Sequence, residues 1–311
     1  MQTAAVIIEE PRRITLRHVD VADPAPDAVV VDITHHGISG GTERLLWQGR
    51  MPTFPGMGYP LVPGYEAVGE IVDPGCGSSW RTGDRVFVPG STCFSDVRPL
   101  FGAAARRLIV PASRLVANDA ADERGILLAL AATAHHALAA QGAQAPELIV
   151  GHGTLGRLVA RVALARGDAP PMVWETEPAR RDADGSYPVC HPDEDERRDY
   201  RCIVDCSGGA SLLDTLIGRL AKGGEIVLAG FYEGDIGFRF APAFMREARF
   251  RIAAEWTAQD MTAVRDLLQR GRLSLDGLIT HRAPATDAAR AYARAFDDAS
   301  CRKMILDWRH E

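Results

Sequence analysis

The chain has 311 residues, 46% hydrophobic and 24% charged, with a formal charge of -6. That length supports two domains with separate cores, and the balance is that of a globular protein. The acidic net charge excludes the basic footprint that phosphate recognition requires, so no nucleic-acid partner is expected.

Only two lysines occur, Lys222 and Lys303, which leaves few candidates for Schiff-base chemistry. The six cysteines, Cys76, Cys93, Cys190, Cys202, Cys206 and Cys301, form no C-x-x-C pair. The start lacks the basic and long apolar regions of a secretory signal. The apolar run at 126–134 is far short of the ~20 residues of a membrane span. The expected compartment is a reducing cytoplasm, without stable membrane insertion. Transient membrane association is left open.

In chain order, alternating or apolar stretches predict strands at 4–8, 13–19, 28–33, 66–72, 84–88 and 106–110, separated by Pro and Gly turns. From about 119 the period changes. Residues 120–141 read as a helix, with Leu127, Leu130, Ala134 and Leu138 at three-to-four spacing. A β-α series follows: strand 148–150, helix 155–166, strand 172–175, strand 202–205, helix 211–221 and strand 225–229. Between them, 177–201 is polar and holds room for only one short strand, at 187–190, so a shallow adenine side is expected. Helices at 259–270 and 287–297 and a strand at 303–308 close the chain. The alternation implies a doubly wound parallel sheet of Rossmann type. The fold class is therefore α/β, a β-rich domain at 1–117 and 270–311 around a nucleotide-binding domain at 118–269.

Gly151-His152-Gly153-Thr154-Leu155-Gly156 follows an apolar strand and opens an apolar helix. The first glycine permits the tight turn, the second admits a pyrophosphate, and the third lets the helix pack on the sheet. The helix N-terminus offers free N–H groups to the phosphate. Glu175 stands 19 residues after Gly156 at the next strand end, where a carboxylate accepts both ribose hydroxyls and repels a 2′-phosphate. NAD is the expected cofactor, while Arg180 and Arg181 keep NADP open. Arg180, Ser207, Gly208, Gly230 and Phe231 complete the expected cofactor-binding set. His152 reads either as a phosphate contact or as a space-filling surface imidazole.

The motifs GYEAVGEIV (64–72), GDRV (83–86), TAHHAL (133–138), GHGTLG (151–156), KGGEIVLAGFY (222–232) and LITH (278–281) resemble the medium-chain dehydrogenase/reductase superfamily over essentially the whole chain. The resemblance implies a GroES-like catalytic domain split around the Rossmann domain. Catalytic zinc in that superfamily uses a Cys, a His and a second Cys or a Glu. Those positions fall here on Ser39 or Gly40, on Tyr65 and near Ala129. The four-cysteine lobe of a structural zinc is absent, with Cys93 alone. A metal held by His35, His36 and Glu43 is conceivable, yet adjacent residues of a strand point to opposite faces. No metal is expected.

Segments 35–72, 102–111 and 301–308 resemble a compact zinc-free family, the 3-hydroxyethyl bacteriochlorophyllide a dehydrogenases of bacteriochlorophyll synthesis. The resemblance implies a tetrapyrrole pigment substrate, whose secondary alcohol is oxidised to an acetyl group with NAD. A homodimer, common in the superfamily, stays open.

Without zinc, another group must take the alcohol's proton. The expected catalytic set is Tyr65, Glu66, Thr42, His36 and Ser39. Tyr65 stands in the lost ligand's place and would accept or relay the proton if its pKa were depressed. Thr42 aligns with the superfamily's hydroxyl relay, with His36 close behind it. Lys303 is expected near the Glu66 carboxylate and the cofactor phosphates. Trp47, Met51, Phe54, Met57 and Tyr59 are candidates to line a cleft for a flat apolar ring. The plainer readings stand beside these: Tyr65 filling volume, Glu66 in a structural ion pair, His36 and the Met/aromatic group as core. Competing functions are a zinc-free quinone or enoyl reductase preferring NADPH, a non-catalytic nucleotide-binding redox sensor, and a sugar or polyol dehydrogenase.

Overall fold

The computed structural model describes residues 1–53, 55–119, 122–182 and 185–309. Two compact units emerge, Met1–Leu128 with Asp276–Glu311, and Ala129–Leu275. The first division falls beyond the expected 117 because the 3-10 turn Glu123–Leu127 packs on the first unit's sheet. Arg124 pairs with Asp276 and Arg282 with Glu123, which draws the second division past 269.

The first unit begins with β1 (Gln2–Glu10), β2 (Arg13–Asp20), β3 (Ala28–Ile38), α1 (Thr42–Gln48), β4 (Leu61–Val62), β5 (Ala67–Asp73), β6 (Arg85–Val88), β7 (Arg98–Pro99), β8 (Arg107–Pro111) and β9 (Val116–Ala117). The second unit holds α2 (Leu128–Leu138, its first residue still counted with the first unit), β10 (Leu148–Val150), α3 (Thr154–Arg166), β11 (Met172–Trp174), β12 (Val189–Cys190), β13 (Tyr200–Asp205), α4 (Leu213–Arg219), β14 (Leu220–Leu228), α5 (Phe240–Arg246), β15 (Arg249–Ile252) and α6 (Ala258–Gln269). The chain then returns to the first unit with β16 (Ile279–Pro284), α7 (Ala288–Asp297) and β17 (Lys303–Asp307).

In the first unit a seven-stranded sheet runs β16-β17-β3-β5-β6-β9, with β8 also on β3, beside a four-stranded sheet β2-β1-β4-β7. The run Val29–Val30–Val31 and Ile33 makes β3 apolar on both faces, and all four side chains are buried. Helix α7 buries Ala288, Ala291, Tyr292 and Phe296, a stripe at helical spacing that points Tyr292 inward. Strand β17 lies antiparallel to β3, which carries the C-terminal segment into the middle of the N-terminal sheet.

In the second unit six strands run β12-β11-β10-β13-β14-β15, all neighbours parallel. The order reverses at β10, so the glycine turn that follows it sits at the switch point of a doubly wound sheet. Between β11 and β12 only short 3-10 turning occurs among the described residues, in keeping with the trimmed excursion read from 177–201. The Asp260 carboxylate caps α6 at Thr257 and accepts His135 Nδ1 at 2.8 Å and His136 Nδ1 at 2.9 Å, tying α2 to α6. Among the described residues no helix is long and apolar enough to cross a membrane.

The short elements β4, β7, β9 and α1, and also α5, β15 and β16, carry no clear periodic signal in the sequence. Edge strand β15 reads Arg-Phe-Arg-Ile, and α5 leaves Phe240, Phe244 and Met245 exposed. Neither shows the inward apolar stripe by which pattern reading finds an element.

A Cβ added at Gly156 would lie 1.9 Å from the Gly151 carbonyl oxygen, whereas one at Gly153 would meet nothing within 4 Å. Gly156→Ala is expected to destabilise the protein by about 1–3 kcal/mol, seen as a lower denaturant midpoint. Gly153→Ala is the matched control and should leave that midpoint near the wild-type value.

Candidate active site

In the first unit the chain leaves β3 at Ile38 and turns through Ser39 into α1, while Gly64, Tyr65 and Glu66 lead into β5. These approaches bring Ser39 Oγ and Tyr65 Oη to 2.6 Å, with Thr42 Oγ1 accepting from Tyr65 Oη at 3.4 Å. The Phe101 ring meets Tyr65 edge-on, with centroids 5.3 Å apart. Three of the five expected catalytic residues therefore form one hydroxyl cluster. Burial and the neighbouring Glu66 carboxylate push the Tyr65 phenol above its ordinary value. The depressed pKa that a tyrosine base would need is absent, so Tyr65 acts here as a neutral hydroxyl.

Behind the hydroxyls lies a sealed layer of charge. Lys303 Nζ meets Glu66 Oε2 at 2.6 Å and donates to the Ile38 carbonyl at 3.2 Å. Both side chains are essentially inaccessible, at 1% and 0%. Burial pushes the Glu66 carboxyl up and the Lys303 ammonium pulls it down. Gly37 is required beside them, because a Cβ there would come within 2.6 Å of Glu66 Oε2. The expected contact of Lys303 with Glu66 forms, whereas the expected contact with cofactor phosphates is corrected, because the ammonium is buried on that carboxylate.

His36 also departs from its expected role. It is fully buried, and Trp308 Nε1–H donates to its Nδ1 at 2.9 Å. An indole nitrogen only donates, so Nδ1 is the unprotonated ring atom. Burial, with His35 and Lys303 adding to it, pushes the His36 pKa down to about 3. The imidazole is a hydrogen-bonded core group, not a base open to substrate.

Sequence reading noted Glu43 only as a conceivable metal ligand and did not single out its partner Tyr292. Glu43 is fully buried, accepts Tyr292 Oη at 2.6 Å through Oε2, and accepts the Ser39 N–H at 3.0 Å through Oε1. Burial raises its pKa to about 7, against the pull of Tyr292 and Ser39. A tyrosine on the buried stripe of an Ala-rich helix was the one available signal for Tyr292.

The expected substrate lining is corrected as well. Met51 is buried in the first unit's core, Trp47 packs on Phe296 with centroids 5.4 Å apart, and Tyr59 Oη donates to the Leu46 carbonyl. Met57 packs on the same core. These residues pin α1 and its following loop, and Phe54 lies outside the described residues.

The second unit carries the dinucleotide cradle. Gly151 has a φ of 93°, in the left-handed region, and α3 starts at Thr154 without a side-chain cap. A helix start of this kind, directly after a glycine turn, suits an anion. Leu155 is half-buried in that first turn. Glu175, at the end of β11, accepts the N–H groups of His152 and Glu177 at 2.9 Å each, which aims its carboxylate across the glycine turn. His152 is not at the surface: its Nδ1–H donates to the Arg180 carbonyl at 2.7 Å, and its Nε2 lies 2.9 Å from Tyr187 Oη. Burial and Arg157 push its pKa down to about 4, so it braces the turn as a neutral ring. The Arg180 backbone, rather than a phosphate-binding side chain, is what the turn uses.

Gly208 and Gly230 let the turns after β13 and β14 meet, since a Cβ at Gly208 would approach the Phe231 carbonyl to 2.6 Å and one at Gly230 the Gly208 nitrogen to 2.7 Å. Buried Asp205 accepts Ser207 N–H, Ser207 Oγ and Tyr232 Oη, fixing the floor between those turns, and Phe231 is half exposed above it. Asp205 and Tyr232 were not among the expected residues. The open path at Gly153, the uncapped helix and the placed carboxylate fit a dinucleotide.

The donor set does not fit a zinc ion. Ser39 and Tyr65 present only neutral hydroxyls, bonded to each other, and Ala129 on α2 has no donor atom. Among the described residues no group of three or more His, Cys, Asp or Glu could hold a metal.

The alcohol dehydrogenase GroES-like domain model matches residues 25–119. The chain is 58% identical to the 2-desacetyl-2-hydroxyethyl bacteriochlorophyllide A dehydrogenase of Cereibacter sphaeroides, covering 99% of both chains. It is 56% identical to the Rhodobacter capsulatus protein of the same name, again over 99% of each. Among solved structures it is similar to L-idonate 5-dehydrogenase of Escherichia coli, with a TM-score of 0.85, 21% identity and 99% of each chain covered.

Two consequences are measurable. Lys303→Met strands the Glu66 carboxylate in the interior and should cost about 3–5 kcal/mol of unfolding free energy, most of it recovered in Lys303→Met/Glu66→Gln. Glu43 has a raised pKa in the folded state, so its contribution to stability is full below the ordinary carboxylate range and is lost as pH rises through about 7. Subtracting unfolding free energies of Glu43→Gln from wild type across that window should show this fall.

Proposed function

Since the chain belongs to the medium-chain dehydrogenase/reductase superfamily, and within it to the family of bacteriochlorophyllide a dehydrogenases, we propose that it oxidises the 3-(1-hydroxyethyl) group of a bacteriochlorophyllide to 3-acetyl, with NAD and without zinc. The observation that carries this reading is full-length likeness to that family together with a hydroxyl pair where a zinc enzyme has ligands. The substrate loses a hydride from the carbinol carbon and a proton from its oxygen, leaving a ketone. The nicotinamide, when bound, supplies the acceptor for the hydride and its electron pair.

This chain's own residues handle the rest. Glycines Gly151, Gly153 and Gly156 and the start of α3 at Thr154 and Leu155 would seat the pyrophosphate. Glu175 receives the adenosine ribose hydroxyls, and its charge disfavours a 2′-phosphate, which supports NAD over NADP. Ser39 and Tyr65 hold the substrate hydroxyl and relay its proton through their 2.6 Å contact to the half-exposed Thr42 hydroxyl and from there to solvent water, which carries it away. Tyr65 serves as a neutral relay because its phenol is held protonated. A carbinol on a conjugated macrocycle is benzylic in character. Positive charge that develops as hydride departs spreads into the ring, which supplies part of the stabilisation a zinc ion would give.

The test is a visible absorption spectrum of chelator-treated protein with a 3-hydroxyethyl bacteriochlorin and either NAD or NADP. A red-shifted acetyl band growing with NAD and indifferent to chelator is expected. No shift with either cofactor, despite measurable NADH binding, would sink the assignment and favour a reductase or a redox sensor. Tyr65→Phe should lower kcat by about 100-fold or more; unchanged turnover would remove Tyr65 from the mechanism.

A further inference from the structure

The interior behind Ser39 and Tyr65 holds two carboxyl groups and one ammonium. Lys303 is committed to Glu66 at 2.6 Å. Wherever their shared proton resides, that pair has no net charge. Among the described residues Glu43 has no cation of its own. The groups that face it are Tyr292 from α7, the Ser39 amide, Tyr65 and Glu66 from the approach to β5, and Lys303 from β17. Only neutral donors touch it, so it is the one member of the cluster whose ionisation adds a net charge to the sealed interior.

Geometry links that charge to the hydroxyls. The carboxylate that accepts Tyr292 Oη on one side holds the Ser39 backbone N–H on the other. The same Ser39 presents Oγ to Tyr65 Oη. A proton gained or lost at Glu43 therefore changes both the hold on Ser39 and the field at Tyr65.

We propose that Glu43 is a positioning residue whose charge state sets the geometry and proton affinity of the Ser39–Tyr65 pair, rests on Tyr292 for its own placement, and makes oxidation depend on its ionised form. A negative charge behind the pair favours departure of hydride, because the carbinol carbon becomes more positive, and favours a proton arriving on the hydroxyls. The rise of the Glu43 pKa to about 7 places the change within the working range. The link to turnover rests on the pigment-oxidation reading, whereas the link between Glu43 and Tyr65 does not.

The experiment labels tyrosine Cζ with carbon-13. There are only six tyrosines in the chain, so six signals are to be assigned, Tyr65 and Tyr292 by their loss in Tyr65→Phe and Tyr292→Phe. In wild type both signals should shift together with one midpoint near pH ~7, and in Glu43→Gln neither should move across that range. In parallel, wild-type kcat with the hydroxyethyl bacteriochlorin should fall about tenfold per pH unit below the same midpoint, and Glu43→Gln should lose that step. A Tyr292 signal that titrates while Tyr65 stays still overturns the proposal, as does the absence of any titration in wild type. So does a kcat profile that is the same in Glu43→Gln. Should Glu43→Gln fold poorly, Tyr292→Phe gives the second variant: it removes a stabiliser of the charged form, so the Tyr65 midpoint must rise, and an unmoved midpoint overturns the idea. Wild type that does not turn over the bacteriochlorin refutes the pigment reading alone, since the carbon-13 titration still decides the coupling.

Discussion

A lysine and a glutamate 237 residues apart in the chain meet at 2.6 Å in the interior of the first unit. Neither side chain touches solvent. Taking two charges out of water is costly and is offset only when they are paired with good geometry. The pairing requires β17 to lie against β3, Gly37 to yield room for the carboxylate, and the segment before β5 to bring Glu66 inward. The hydroxyl cluster sits directly on that arrangement. Tyr65 precedes Glu66 in the chain, and Ser39 follows Ile38, whose carbonyl takes the second Lys303 hydrogen bond. The positions of the Ser39 and Tyr65 hydroxyls thus depend on satisfying one buried cation.

In the proposed reaction, the same construction accounts for hydroxyls standing in place of metal ligands. A zinc ion stabilises an alkoxide by charge at close range. Here the groups at those positions are neutral, and the charges stand one layer deeper, where water does not screen them. Tyr65 is held protonated by burial and by Glu66, which suits the relay role proposed for it. Glu43, with only neutral donors around it, is the adjustable charge of the set. A substrate whose own conjugated ring spreads developing positive charge suits such a site better than an aliphatic alcohol would.

The dinucleotide cradle relies on a different device. Instead of a long excursion after β11, the second unit braces its glycine turn from below. Arg157 reaches the carbonyls of His152, Arg180 and Asp182, and His152 links Arg180 to Tyr187. A buried neutral imidazole and a buried guanidinium, both donating to backbone carbonyls, replace the packing that a full helix and strand would supply. Glu175 then needs no further support, because two backbone N–H groups aim it.

The sequence by itself determined the class of fold, the parallel series with its glycine turn and Glu175, and the absence of the usual metal ligands. Each of these is written in local spacing: alternation for strands, three-to-four periodicity for helices, and residue types at fixed offsets within one motif. It also marked Ser39, Thr42 and Tyr65, because the superfamily resemblance aligns each with a position that carries chemistry there. Only the tertiary structure decided that Lys303 is sealed on Glu66 and away from any phosphate, that His36 is taken by Trp308, that Met51 is core with Trp47 and Tyr59 packed against it, and that Glu43 and Tyr292 join behind the site. Partners 237 to 272 residues apart leave no trace in local periodicity. Whether a polar side chain is a reacting group or a buried brace is set by desolvation and by the donor it meets, and both exist only once the chain has closed on itself.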